Sequence, residues 1–169
     1  MKGTTRQHLS SLPIGWGKNL DDLLMNFADR LSNRNITSAG LVIKTGGSAL
    51  AKAGNVFHAL LNGKIVSKAA NTDMAALSGT VVNATFNVYA FFIDKKGGLT
   101  SAMGKEGATL LAVTFPPIPE RKACLGYVVI NPTGTGNFVG GTTPLDDGTV
   151  VPNAVYVNIT GPFDPTILP

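Results

Sequence analysis

Cysteine occurs once in this chain, at Cys124, so the sequence has neither an internal disulfide nor a cysteine framework for a metal. The bland reading of Cys124 is a small core hydrophobe. Histidine occurs twice, at His8 and His58, which with one cysteine does not make a zinc site. Charge is scarce as well. Charged residues are 14% of the chain, where a soluble globular protein carries about 25%. A chain with so little charge covers its own surface poorly in water, which points to an assembly in which other protein covers part of it. The net charge of +4 is mild and the lysines are scattered, without basic runs interleaved with aromatics, so nucleic-acid binding is not indicated. No apolar run approaches the roughly 20 residues of a membrane span, and MKGTTRQHLSSLPIGWGKN holds no apolar signal core, so the expectation is a soluble protein made in a reducing compartment.

What the chain does have is 20 glycines, 10 prolines and a hydrophobic share of 44% in 169 residues, which suits one domain of short elements and many turns. Residues 1–18 show no periodicity and read as an extended arm containing Trp16, a ring that needs a surface to pack on. Residues 19–33, NLDDLLMNFADRLSN, read as an amphipathic helix: Leu20, Leu23, Leu24, Phe27 and Leu31 form one apolar stripe. Asn19 is the expected N-cap, with Asp21 and Asp22 near the positive end of the dipole and Arg30 and Arg34 near the other. Asn26, Asp29 and Asn33 make the opposite face polar. The default place for the stripe is the chain's own sheet; a trimeric helical bundle or a groove on a partner is the sharper alternative.

From residue 39 the pattern is that of strands. AGLVIKTGG is a short strand ending at a glycine pair, and Asn62-Gly63 in NVFHALLNGKIVSKA predicts a two-residue hairpin pairing Leu61 with Lys64, Leu60 with Ile65 and His58 with Ser67. Val56, His58, Leu60, Ile65 and Ala69 then share a face, and His58, with a serine opposite, reads as a hydrogen-bonded structural histidine among apolar neighbours. TVVNATFNVYAFFID alternates, with Val82, Ala84, Phe86, Val88, Ala90 and Phe92 on one face; Tyr89, Phe91 and Ile93 make its end apolar on both. DKKGG reads as an exposed turn. ATLLAVTF reads as a two-sided strand closed by PPIP, and ACLGYVVI and AVYVNIT as further strands, with Val151, Val155, Val157 and Ile159 on one side. Seven to nine short strands predict a mainly β fold, an antiparallel sandwich or jelly-roll-like barrel over residues 39–169, preceded by an arm and one helix over residues 1–38.

Chemistry is sparse. Of the seven carboxylates in the β region, only Asp146 and Asp147 are adjacent, before Gly148 in a turn, and they supply too few ligands for calcium. No GxSxG elbow accompanies either histidine. The glycine-rich NPTGTGNFVGGTTPLDDG (131–148) lacks the lysine of a phosphate-binding GxxxxGK[ST] loop, and Val139 stands where a GxGxxG motif needs its third glycine. A strand pattern follows it and not a helix, so no dipole is offered to a phosphate. It reads as an excursion between strands, with Phe138 an apolar ring expected to pack against a neighbouring subunit. No catalytic residue, cofactor or metal site is expected, and three Asn-X-Ser/Thr sequons, at Asn35, Asn83 and Asn158, carry no weight without a secretion signal.

The phrases LSGTVVNATFNVYAFFID, LTSAMGKEGATLLAVTFPPIPERKACLGYVVINPTGTGNFVGGTTPLDD and VVPNAVYVNITGPFDP resemble a group of small tailed-bacteriophage structural proteins, over roughly residues 39–165. The resemblance lies in the order of phrases and not in a diagnostic motif. It implies a virion component of the capsid decoration, or cement, type: non-catalytic, made in the host cytoplasm, seated on the outer capsid and clamping neighbouring major capsid subunits as a β-rich trimer or dimer. Trp16, Leu20, Leu23, Leu24, Phe27, Leu31 and Phe138 are the residues expected at capsid or intersubunit contacts, with the major capsid protein and further copies of the chain as partners, a trimer favoured over a dimer. A head-fibre or tail-fibre module contacting the host surface is the rival reading, and a virion-associated hydrolase a third.

Overall fold

A computed structural model describes residues 14–162, with only the backbone described at residues 14–19 and 26. Within that range one helix, α1 (Ile14–Ser32), precedes eleven strands. They are β1 (Asn33–Asn35), β2 (Leu41–Ile43), β3 (Ala51–Ala53), β4 (Phe57–Leu61), β5 (Lys64–Lys68), β6 (Thr80–Val81), β7 (Asn87–Asp94), β8 (Leu99–Met103), β9 (Lys122–Ile130), β10 (Phe138–Val139) and β11 (Val155–Asn158). The fold is mainly β, and every strand pairing is antiparallel: β1-β4-β5, β2-β3, β10-β6 and the four-stranded β11-β9-β7-β8.

The two central strands of the four-stranded sheet, β7 and β9, are buried on both faces, as the doubly apolar end of β7 predicts. Val88, Ala90 and Phe92 point into a cluster with Val113, Phe115 and Tyr127, while Tyr89, Phe91 and Ile93 point into a larger one with Phe57, Leu125 and Phe138. Burying β7 and β9 on both sides makes this sheet the centre of the body. One irregularity sets which side chain goes where. Phe91 pairs with Gly126 but Phe92 pairs with Cys124, so Leu125 is an extra residue in β9. That bulge reverses the alternation: Leu125 and Val128, three apart, face the same cluster. Gly126 adopts φ 154° there, and a Cβ on it would press into the Val157 carbonyl and the Leu41 side chain.

The Asn62-Gly63 hairpin forms with the predicted register, Leu61 with Lys64, Leu60 with Ile65 and His58 with Ser67. Both turn residues have positive φ, 50° and 77°, the conformation a tight two-residue turn requires. His58 Nδ1 lies 2.7 Å from Ser67 Oγ. Its face is not the apolar one, however. Phe57, Ala59 and Leu61 carry the burial, and Val56 and Ile65 are exposed, because β4 lays its odd-numbered side on the core. The DKKGG turn joins β7 to β8 as expected, with the Asp94 carboxylate accepting from the amides of Lys96 and Gly98.

Other expectations are corrected. TVVNATFNVYAFFID is two strands, since Ala84 takes φ 62° and breaks the run between β6 and β7, leaving Val82 exposed. ATLLAVTF is not a strand: Leu110–Ala112 form a 3-10 turn with Leu111 87% exposed. Val155 is exposed on the edge strand β11 while Val151 and Ile159 are buried. The β region begins at Asn33 and not at residue 39, because β1 pairs with β4. The helix begins at Ile14, so Asn19 is inside it and no acidic residue lies in its first turn. Gly15 and Gly17 each cost a helix about 1 kcal/mol, which makes the segment look like an arm. Residues 1–13 lie outside the described residues.

Candidate functional site

Asparagine does the work of joining α1 to the β body. Asn33 Nδ2 donates to the Asp29 carbonyl at 2.9 Å and to Asp29 Oδ1 at 2.8 Å, while Asn33 Oδ1 accepts from the Asn62 amide in the hairpin turn at 3.1 Å. The Asn62 amide also reaches the Ser32 carbonyl at 3.1 Å, one of the last carbonyls of the helix. Asp29 Oδ2 accepts from the Arg121 amide at 3.3 Å, ahead of β9. Two residues on, wholly buried Asn35 donates to the Ile159 carbonyl at 2.9 Å, so its sequon is closed off in the folded chain. The C-terminal half of α1 is thus tied down on the side of Asp29 and Asn33, the polar face of the helix.

The stripe of Leu20, Leu24, Phe27 and Leu31 lies about half a turn away from that side, at 100° per residue. The expectation that it packs on the chain's own sheet is therefore overturned: Leu23 is 63% exposed, Phe27 60%, Leu24 49% and Leu31 38%, with Leu20 half-buried. The helix is amphipathic in the predicted way, but it is held to the body at its last turn through Asp29 and Asn33 on its polar side, and its apolar stripe is left exposed. Between it and the body runs an open groove of about 350 Å³, lined in part by Met25, Ala28, Ser32, Asn62 and Arg121. Trp16 falls on α1, one turn ahead of Leu20, and its side chain lies outside the described residues.

Phe138 does not belong with these residues. It is 0% exposed and sits in the chain's own core, edge-to-face with Tyr89 at a centroid distance of 5.9 Å and 62° between planes. The glycine-rich loop swings inward because Phe138 pairs with Val81 across β10 and β6. No helix follows the loop: β9 precedes it, β10 lies within it, and turns lead from it to β11.

Several ionisable groups are engaged in local structure. The Asp146 carboxylate accepts from the Gly47 amide at 3.0 Å. Asp147 is held below its ordinary range, first by the Thr149 hydroxyl at 2.6 Å and then by the Thr149 amide. The backbone amide of Gly98 is the main cause that lowers Asp94. Burial pushes the Cys124 thiol up to about 12, and does the same to the phenols of Tyr89 and Tyr156. Lys44 and Asp73 form an exposed ion pair at 2.6 Å. Among the described residues, no three histidine, cysteine, aspartate or glutamate side chains gather as metal ligands would, and no helix is long and apolar enough to cross a membrane.

The arrangement can therefore bind by apolar contact, along the helix face from Leu20 to Leu31, about three turns long. No protein-family model, curated protein or solved structure matches this chain.

Proposed function

We propose that this chain is a non-catalytic structural protein of a bacteriophage virion, which decorates the capsid and stabilises it by bridging neighbouring major capsid subunits. The observation that carries the reading is the outward stripe of Leu23, Leu24, Phe27 and Leu31 on a helix whose polar side is already bonded to its own body. The largest contiguous apolar patch that a soluble chain leaves open often marks a contact site. The scarcity of charge supports the same reading, since an assembled surface needs less of it. The engagement of Asp146 and Asp147 in turn hydrogen bonds is compatible with the same reading. In the same reading, the sheet centred on doubly buried β7 and β9, with the smaller sheets laid over it, is a sandwich of jelly-roll type.

The test is co-sedimentation of the purified chain with capsids that lack it, alongside the temperature at which those capsids rupture. The wild-type chain is expected to bind and to raise the rupture temperature. A Leu24→Asp, Phe27→Asp variant, with an unchanged β body, is expected to do neither. Equal binding by the variant would refute the stripe as the contact, and antibody label confined to the tail tip would move the protein to the fibre class.

A further inference from the structure

The cations of this chain are not spread evenly over its body. Five of them meet at one end of the central sheet, where β7 turns into β8. Lys95 and Lys96 sit in that turn and are exposed. Lys122 opens β9 opposite Asp94, the last residue of β7, and Arg121 stands exposed just ahead of it. Lys68, the last residue of β5, lies over the same turn: a Cβ on Gly97 would stand 3.2 Å from its Nζ. Against these five cations stand two carboxylates, Asp94 and Glu120, which leaves +3 at this end when the whole chain carries +4. Arg30, Arg34 and Asp29 border the patch at the foot of α1 and keep its sign positive. The far end of β7 differs. There the Gly104 amide bonds to the Val88 carbonyl, and the next two residues, Lys105 and Glu106, cancel.

The carboxylate inside the patch does not pair with its cations. Asp94 Oδ1 accepts from the Lys96 amide at 2.8 Å and the Gly98 amide at 2.9 Å, so the backbone of its own turn holds the charge. Lys122 Nζ donates to an uncharged partner, Thr100 Oγ1, at 2.9 Å. Among the described residues, none of the five forms an ion pair with a carboxylate; the exposed pair that exists joins Lys44 to Asp73, beside β3. Like charges gathered in this way repel, and an anionic partner relieves the repulsion. We propose that this end of the body docks on a carboxylate-rich face of a neighbouring protein. The inference rests on the assembly reading above and names the chemistry that the partner surface carries.

A protein face fits better than nucleic acid or lipid. The turn at 94–98 and the segment 119–122 hold no aromatic ring on which a base could stack. Four of the five cations are lysines, compact point charges, and not the planar arginine forks that grip a phosphate in two places. The helix rooted beside the patch exposes Asp21 and Asp22, which an anionic lipid surface repels. Exposed charge of one sign steers and orients a protein partner, and sets its specificity more than its affinity.

Salt and charge reversal test the proposal on the full chain, with capsids that lack it as one probe and a soluble glutamate-rich peptide as the other. Capsid binding is expected to weaken about tenfold or more between about 0.1 M and about 1 M salt, as the screening length shrinks from about 10 Å to about 3 Å. At the lower salt, Lys95→Glu, Lys96→Glu is expected to weaken it about tenfold, while Lys105→Glu at the far end stays within about twofold of wild type. The turn is bonded through the Lys96 backbone, so the reversed chain keeps its thermal transition. Backbone NMR with the peptide is expected to shift the amides of residues 94–98 and 121–122 and to leave 105–107 in place. Capsid binding that ignores both salt and the double reversal would overturn the proposal and keep the assembly reading. A peptide that shifts the turn amides of a chain that ignores capsids would keep the acidic docking face and sink capsid decoration. Binding to neither probe would overturn both. Tighter binding of duplex DNA or phosphatidylserine vesicles than of the peptide, through the same amides, would overturn the choice of a protein partner.

Discussion

Truncating Phe138 to alanine tests whether the glycine-rich loop belongs to the core of its own chain. The ring is fully buried, touches Tyr89 edge-to-face and lies among Val81, Leu77 and the rest of the larger cluster. Removing a buried phenylalanine costs about 3–5 kcal/mol, through lost transfer free energy and the cavity left behind. About 0.5–1.5 kcal/mol of that belongs to the ring pair with Tyr89. Set against a whole-domain stability of about 5–15 kcal/mol, the loss is large. At about 2–4 °C per kcal/mol for a chain of this size, the midpoint of thermal unfolding should fall by roughly 6–20 °C. Denaturant unfolding followed by tyrosine fluorescence and circular dichroism measures it, with wild type and variant at one protein concentration so that any assembly contributes equally. Phe138→Leu keeps most of the volume and should lose about 1.5 kcal/mol or less. The reasoning fails if Phe138→Ala lies within about 1 kcal/mol of wild type. It fails differently, in favour of a partner contact, if stability holds while the solution mass changes.

Three further outcomes follow from the geometry. Gly126→Ala should cost several kcal/mol or prevent folding, because the new Cβ meets the Val157 carbonyl and φ 154° suits glycine alone; a variant as stable as wild type would refute the bulge. Asp94 has a depressed pKa in the folded chain, so the stability it adds is present above the ordinary aspartate value near 3.9 and is lost as pH falls through its lower folded value. Stability measured against pH should accordingly fall less steeply below that value for Asp94→Asn than for wild type, and parallel curves would show that the turn amides do not hold the carboxylate. Cys124, buried with its thiol pushed up to about 12, should resist a thiol reagent at pH 8 in the native chain and react at once in denaturant; prompt native labelling would contradict its burial.

Local patterns were legible wherever one rule governed the outcome. The Asn62-Gly63 pair set a hairpin register through turn geometry alone, and the double apolar run of Tyr89, Phe91 and Ile93 with Val88, Ala90 and Phe92 announced a strand buried on both faces. Misreadings arose where two rules competed. Val82–Phe86 alternates like a strand, but its backbone hydrogen bonds go elsewhere: the Ala84 amide donates to the Pro132 carbonyl and the Thr85 amide closes back on Val82. Leu110 and Leu111 looked like strand interior, yet the chain turns there and leaves Leu111 in solvent. The face of the β4–β5 hairpin was misjudged because both faces carry apolar residues, and only the position of the sheet over the core chooses between them.

For the candidate site, the sequence by itself determined which residues form the apolar stripe of α1, because a 3.6-residue period places Leu20, Leu24, Phe27 and Leu31 on one side whatever the helix packs against. It also determined that the glycine-rich loop is no phosphate cradle, since the residues such a cradle needs are absent. Direction was decided only by the tertiary structure. Asn33 and Asp29 bond to each other, to the hairpin turn and to the start of β9, and those few long-range hydrogen bonds hold α1 to the body by the polar side of its last turn and leave the stripe exposed. The same pairing of Phe138 with Val81, residues far apart in sequence, carried the ring into the core. A side-chain pattern fixes what shares a face; which way that face looks depends on contacts between distant segments, and those exist only once the chain has closed on itself.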